Sequence, residues 1–319
     1  MDEGFDNTPQ GVGRGGHREK EKVGHVPVLL KEAIHYLAVK RGGSYLDATV
    51  GLGGHSLEIA RRLGAAGHLI GLDKDPAALE AAQRNLEAGA GDEFKNDWPK
   101  IKLLHSSFAE VKERLAGQKL DGLLADIGVS SLQLDQAARG FSFQAEGPLD
   151  MRMNPHQERT AEQVVNQVDE VTLANLIYEF GEERRSRRIA RAICRSRPIR
   201  TTAELADVIS AAARPMNQAE RRIHPATKTF QALRIFVNHE LEDLTALLEA
   251  APKILKPGGR VVVISFHSLE DRIVKDAFRD GAKRGEFEVL TKKPVTASQD
   301  EMDRNPRSRS AKLRAAERI

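Results

Sequence analysis

The stretch Tyr45-Leu46-Asp47-Ala48-Thr49-Val50-Gly51-Leu52-Gly53-Gly54-His55 constrains this chain more than any other. Tyr45 and Leu46 read as a short buried strand that stops at Asp47; clustered glycines then turn the chain, and Leu57, Ile59, Ala60 and Leu63 recur at helical spacing. Such a turn suits a small ligand. Glycine leaves no Cβ between backbone N–H groups and a bound molecule, and the helix N-terminus behind it favours a negative group such as a carboxylate. Ser56 stands where a third glycine would complete a dinucleotide fingerprint, so the turn alone fits a ligand cradle and an ordinary strand-to-helix connection equally.

The neighbouring segments favour the cradle. A strand His68–Asp73 ends in an acid roughly twenty residues after the first glycine, the offset of a carboxylate that binds ribose hydroxyls. Asp75 is placed to cap a helix whose first residue is Pro76. A strand Lys102–His105 runs into Ser106-Ser107-Phe108, and another, Gly122–Ile127, carries Asp126 at its end. Strands alternating with helices predict a parallel, doubly wound α/β sheet whose ligands bind beyond the carboxyl ends of the strands. Asp47, Asp73, Phe108 and Asp126 all belong to that edge.

From about Ser131 the alternation stops. Loops around Gly140–Phe143 and Gly147–Met153 precede helical patterns at Ala161–Val168, Leu173–Phe180 and Arg184–Arg195, which reads as a smaller helical domain inserted in the first. One long helix is expected from Thr229 to Leu255, stopping at Lys256-Pro257-Gly258-Gly259 before the strand Arg260–Ser265 returns to the sheet. The expected division is a flexible tail over 1–24, a Rossmann-like domain over 25–134 and 227–319, and the insertion over 135–226. The segment from Asp303 to Ile319 reads as a basic tail, with Arg304, Arg307, Arg309, Lys312, Arg314 and Arg318.

The chain has 319 residues, 40% of them hydrophobic, enough for a folded core, and a formal net charge of +3, so affinity for a polyanion must come from clustering. Arg184, Arg187, Arg188, Arg191 and Arg195 form such a cluster at helical spacing. It reads either as a solvated face paired with Glu182 and Glu183 or as a surface that tracks phosphates, and Lys292-Lys293 and the basic C-terminal run favour the latter. The single cysteine, Cys194, excludes an intrachain disulfide and fits a reducing compartment. No apolar run approaches membrane-spanning length, and the polar leader with Asp2, Glu3 and Asp6 resembles neither a signal peptide nor an organelle presequence, so a cytoplasmic protein is expected.

The acids select the ligand. Nicotinamide and flavin dinucleotides bring a pyrophosphate that clustered carboxylates repel, which sets a nicotinamide-dependent reductase aside. S-adenosylmethionine carries a sulfonium, an ammonium and a carboxylate, and no phosphate. Asp47 and Asp126 suit the cations, Asp73 the ribose diol and Phe108 the adenine. A lone acid at a strand end is usually a cap or a solvated terminus; several at successive strand ends are not explained that way.

Longer motifs then carry a resemblance. His25-Val26-Pro27-Val28-Leu29, Gly53-Gly54-His55-Ser56, Asp126-Ile127-Gly128-Val129-Ser130-Ser131-Leu132-Gln133, Arg139-Gly140-Phe141-Ser142-Phe143, Gly147-Pro148-Leu149-Asp150-Met151-Arg152-Met153, Phe230-Gln231-Ala232-Leu233-Arg234-Ile235, Ser265-Phe266-His267-Ser268-Leu269-Glu270-Asp271 and Asn305-Pro306-Arg307-Ser308-Arg309 together resemble the bacterial 16S rRNA (cytosine-N4)-methyltransferases of the MraW/RsmH family, from His25 to the C-terminus. Leu132 replaces a usual proline and Lys228 a usual arginine. The resemblance implies a Rossmann-like class I methyltransferase fold with an inserted helical domain. It implies a methyl donor held by Gly53, Gly54, His55, Asp73, Phe108, Asp126 and Gln133, and an acceptor that is the N4 of a cytidine in the decoding region (P site) of 16S rRNA of the small ribosomal subunit.

The residues suggest how such an acceptor is met. The N4 lone pair is delocalised into the ring until acceptors hold the amino hydrogens, and Asp126 or a nearby carbonyl is the expected acceptor, with catalysis by positioning. The Asp-Pro-Pro-aromatic loop common in amino-methyltransferases is here Asp126-Ile127-Gly128-Val129. Phe141, Phe143 or Phe266 would lie against an extruded base, although phenylalanine is more often core, and Asp150 and His267 are further candidates to hold it. Arg187 and Arg191 would bind the RNA backbone. No metal is expected, and the oligomeric state stays open. Two other readings share the donor site: a methyltransferase of DNA cytosine or of a protein side chain, and an RNA-binding assembly factor without activity.

Overall fold

The computed structural model describes residues 27–94, 96–115, 117–213 and 224–319. The tail over 1–24 and the motif residues His25 and Val26 lie outside the described residues. One mixed sheet of seven strands organises the chain: β1 (Ser44–Asp47), β2 (His68–Asp73), β3 (Lys100–His105), β4 (Leu120–Asp126), β5 (Leu255–Ser265), β6 (Phe287–Val289) and β7 (Lys312–Arg318), in the order β3-β2-β1-β4-β5-β7-β6. The first five are parallel and β7 runs antiparallel between β5 and β6. This is the Rossmann-like class I methyltransferase architecture. The strand order reverses between β1 and β4, so a crevice opens beyond their carboxyl ends, where Asp47 and Asp126 stand.

Side-chain alternation builds two cores. On β5, Val262 and Ile264 point to one face with Leu124, where Leu37 of α1 (Leu30–Leu37) and Ile59 and Leu63 of α2 (Gly54–Leu63) cover them. Val261 and Val263 point to the other with Leu123, against α11 (Glu240–Ile254) and α12 (Ser268–Lys283). Helix α3 (Pro76–Gly89) starts as expected, with Asp75 accepting from the Ala77 N–H at 3.1 Å. The short helix α4 (Val111–Arg114) follows β3.

A third core belongs to the helical layer: α6 (Ala161–Gln167), α7 (Glu170–Gly181), α8 (Ser186–Arg195), α9 (Thr202–Ala212) and α10 (Thr227–Asn238), together with Phe141, Leu149 and Met151. Helix α9 was not anticipated, although Thr201 and Glu204 make a reciprocal capping box ahead of Leu205 and Ile209. The short helix α5 (Ser131–Asp135) leads into this layer, and Arg139 ties it back to the sheet, donating to Asp75 at 2.7 Å and to the carbonyls of Arg152 and Met153 at 2.9 and 3.0 Å.

Two expectations need correction. The helix expected from Thr229 to Leu255 is two helices, broken at His239 with φ 54°. Buried Asn238 accounts for the break: its side chain donates to the Met151 carbonyl and accepts from the Met153 N–H, both at 2.7 Å, so the chain is pinned there. Phe230, Leu233 and Val237 before the break pack in the helical core, and Leu244 and Leu247 after it pack under the sheet. The basic C-terminal segment is not a tail. It forms α13 (Gln299–Arg304), a 3-10 turn over Pro306–Ser310 and the interior strand β7, in which Leu313 and Ala315 join one core and Ala316 the other. Arg314, 6% exposed, pairs with Asp271 at 2.6 Å, and Arg318 donates to the carbonyls of Pro252 and Glu286. These arginines hold the fold rather than a polyanion.

Candidate active site

The glycine turn is held from beneath by acids. Asp47, 1% exposed, accepts from the Thr49 N–H at 3.1 Å and the Ser56 hydroxyl at 2.6 Å. The next residues, Ala48 and Thr49, line the main cavity, and Asp47 itself is not part of the wall. Asp73 accepts from the Gly51 N–H at 2.8 Å and the Asp75 N–H at 2.9 Å. A carboxylate offers about four lone-pair sites, so two remain for a diol. Burial pushes both carboxyls up to about 6, against the hydrogen bonds from Ser56 to Asp47 and from the Asp75 and Gly51 N–H groups to Asp73.

Asp126 ends β4 beside them. Its N–H donates to the Thr49 hydroxyl at 2.6 Å, which locks the β4 terminus to the turn. Oδ2 lies 3.7 Å from His55 Nδ1, and Oδ1 is buried with no hydrogen-bond partner among the described residues. Burial, then the charges of Asp47 and Glu270, push this carboxyl well above the usual range. His55 Nε2 lies 3.1 Å from the Val28 carbonyl, which only accepts, so Nε2 carries the hydrogen.

The cavity gathers most of the expected donor residues. Gly54, His55, Asp73, Phe108, Asp126 and Gln133 line it. Gln133, 3% exposed, is fixed in a capping box with Ser130 and donates to Asp75 at 3.0 Å; Leu132 sits within the helix that this box starts. Gly53 stands between the wall residues Leu52 and Gly54 without being part of the wall itself. Its φ is 83°, and a Cβ there would stand 3.3 Å from Ala82, so the glycine allows α3 to pack against the turn. Gly51, which is not among the expected donor contacts, lines the wall. At Gly54 a Cβ would fall 2.3 Å from Pro27 Cγ.

The expected acceptor-side residues divide. Phe141, 7% exposed, belongs to the helical core and not to the cavity wall. Asp150 is held by Arg152, which donates to it at 2.8 and 2.7 Å and keeps its carboxyl below the usual range despite burial; it too is away from the wall. His267 caps α12, with Nδ1 facing the Glu270 N–H at 3.4 Å, and is not part of the wall. Arg187 and Arg191 lie exposed on α8 and are not part of the wall; Arg191 pairs with Glu170 at 3.3 Å. Glu182 pairs with Arg272 and Ser268 instead of the stripe, and the buried Glu183 accepts from the Arg185 N–H.

Of the three phenylalanines expected to meet a base, Phe266 is in the wall. Sequence reasoning missed other wall residues: Arg234 forks Glu240 with two contacts of 2.8 Å, both side chains largely buried, and Arg307 and Ser310 stand on the same wall. Glu240 follows the break at His239, and without that break it has no reason to face the site. Ligand atoms of Glu240, His267 and Glu270 fall within 4.8 Å of one another. Arg234 already engages both Glu240 oxygens, so the cluster is charge-balanced at that end.

The glycine turn, the acids and Phe108 fit S-adenosylmethionine: a diol acceptor at β2, an aromatic face at β3, and negative potential at β1 and β4 for the sulfonium and ammonium. No helix among the described residues is long and apolar enough to cross a membrane. The chain is 72% identical to a protein of Koribacter versatilis named "Ribosomal RNA small subunit methyltransferase H", over 95% of this chain and 96% of that one. It is 63% identical to a protein of the same name from Acidobacterium capsulatum, over 93% and 99% of the two chains. A third of that name, from Synechococcus elongatus, is 50% identical over 92% and 95%. The model of the MraW methylase family matches residues 22–319, and with the donor cavity in place at the expected strand ends, the chain belongs to that family.

Proposed function

We propose that this chain methylates small-subunit rRNA, transferring a methyl group from S-adenosylmethionine to the exocyclic N4 of a cytidine in the decoding region of 16S rRNA during small-subunit maturation in the cytoplasm. The names of its relatives support the rRNA substrate. The observation that carries the N4 reading is the buried Oδ1 of Asp126 at the edge of the donor cavity, which has no hydrogen-bond partner among the described residues. An exocyclic amine presents two hydrogens, and a buried acceptor without a partner is what such a donor requires.

S-adenosylmethionine supplies an electrophilic methyl on a sulfonium. Asp126 accepts one N4 hydrogen and localises the nitrogen lone pair toward that methyl. The new N–C bond forms as the S–C bond breaks, the electron pair stays on sulfur as a thioether, and N4 gives up one proton. Asp126, with its raised proton affinity, is suited to receive it. Asp73 orients the ribose, and Phe108 and Gln133 close the adenine side. Arg184, Arg187, Arg188 and Arg195 form no ion pair among the described residues and would meet phosphates on the helical layer, with Arg191. The test is labelled donor with immature 30S particles, free 16S rRNA and DNA, followed by mapping of the modified base. Label on DNA or on protein would overturn the rRNA reading. Donor binding without transfer to any of them would favour an assembly factor.

A further inference from the structure

Among the described residues two phenylalanine rings line the cavity, Phe108 after β3 and Phe266 after β5, on opposite sides of the point where the strand order reverses. Phe108 shares its side with Asp73 and serves the adenine. Phe266 shares its side with Asp126, since Ile264, two residues earlier, pairs with Asp126 in the β4–β5 register. We infer that Phe266 is the stacking platform for the acceptor base, a reading that rests on a nucleobase as the acceptor.

The other aromatic candidates are committed elsewhere. Phe141 is in the helical core, and Phe143 stacks on His224 at 4.5 Å with Phe230 edge-on at 4.9 Å. The loop Asp126-Ile127-Gly128-Val129 offers no ring of its own. Phe266 supplies one from the next strand. Gly128 has φ 140°, and a Cβ there would stand 3.1 Å from Phe266 Cδ2, so the ring lies directly against the loop that carries Asp126. Its backbone is fixed as well: the Phe266 N–H donates to Glu270 at 2.8 Å, and Glu270 is fully buried in the cap of α12. A base extruded onto this ring is held flat beside Asp126.

The experiment uses the full chain with small-subunit rRNA carrying a fluorescent cytosine analogue at the modified position, and separately the unmodified RNA with Phe266→Leu and Phe266→Trp. Stacking on an aromatic contributes ~1–3 kcal/mol per base, which corresponds to a loss of about 5- to 150-fold in kcat/KM for Phe266→Leu. Phe266→Trp retains activity, and donor affinity changes less than about twofold in either variant, because the stack is worth nothing to the donor. The wild-type protein quenches the analogue and Phe266→Leu does not. Unchanged kcat/KM in Phe266→Leu, or loss of donor binding in place of RNA turnover, would overturn the platform. Should Phe266→Leu unfold, the wild-type quench and Phe266→Trp decide, and absence of quenching overturns the inference. Mapping the wild-type product to another atom would overturn the N4 assignment, while the variant ratios still decide the platform.

Discussion

Asp47 and Asp73 titrate near 6 because burial at the strand ends disfavours their charged forms. Such carboxyls bind protons in the folded chain that the unfolded chain has already released. Their contribution to stability is therefore fully present below the ordinary value of 3.8 and is lost as pH rises through about 6. In the donor-free protein these groups lower the melting temperature between those limits. Donor cations favour the ionised forms, so donor affinity is expected to rise with pH through the same window with release of protons. Calorimetry at pH 5 and 7.5 in buffers of different ionisation enthalpy measures both; proton uptake on binding would contradict the assignment. For Asp126, replacing the acceptor by Asp126→Asn is expected to cut kcat by about 100- to 1,000-fold at saturating donor, as for loss of one preorganised hydrogen bond in a site. Normal turnover at saturation would leave Asp126 with a donor-binding role alone.

The glycine turn was legible at the level of elements because its determinants are local: a strand ending in an acid, glycines, then a helical period. What local pattern hid was set by tertiary contacts. Asn238 reads as an ordinary helix residue until Met151 and Met153 are brought to it, and the break that follows delivers Glu240 to the cavity. The basic residues Lys312, Arg314 and Arg318 disguised β7, because Arg314 is buried only by virtue of Asp271 on α12. Removing Arg314 leaves the mostly buried Asp271 only the longer pair to Lys312 at 3.4 Å, so Arg314→Ala is expected to destabilise by roughly 3 kcal/mol or less in chemical denaturation. Gly54 supplies the opposite test. In Gly54→Ala the new Cβ meets Pro27 at 2.3 Å, and the forced shift of the turn is expected to weaken donor binding about tenfold while costing ~1–3 kcal/mol of stability.

Across the whole molecule the charges divide by role. The C-terminal arginines of β7 are consumed by the fold, whereas the α8 stripe is exposed and lies away from the donor cavity. A double change Arg187→Gln and Arg188→Gln is therefore expected to lower the salt slope of RNA binding by about 2, at unchanged donor affinity and melting temperature. An unchanged slope would place the RNA on another face. Phosphate contacts of this kind fix where the RNA lies, and the cavity between Asp126 and Phe266 must then choose the base. The most direct measurement is nucleoside analysis of 16S rRNA after incubation of immature small subunits with isotope-labelled S-adenosylmethionine and the protein. The account predicts label on the N4 of one cytidine of the decoding region, abolished in Asp126→Asn; label on another nucleoside, or on C5 or N3 of cytosine, would contradict it.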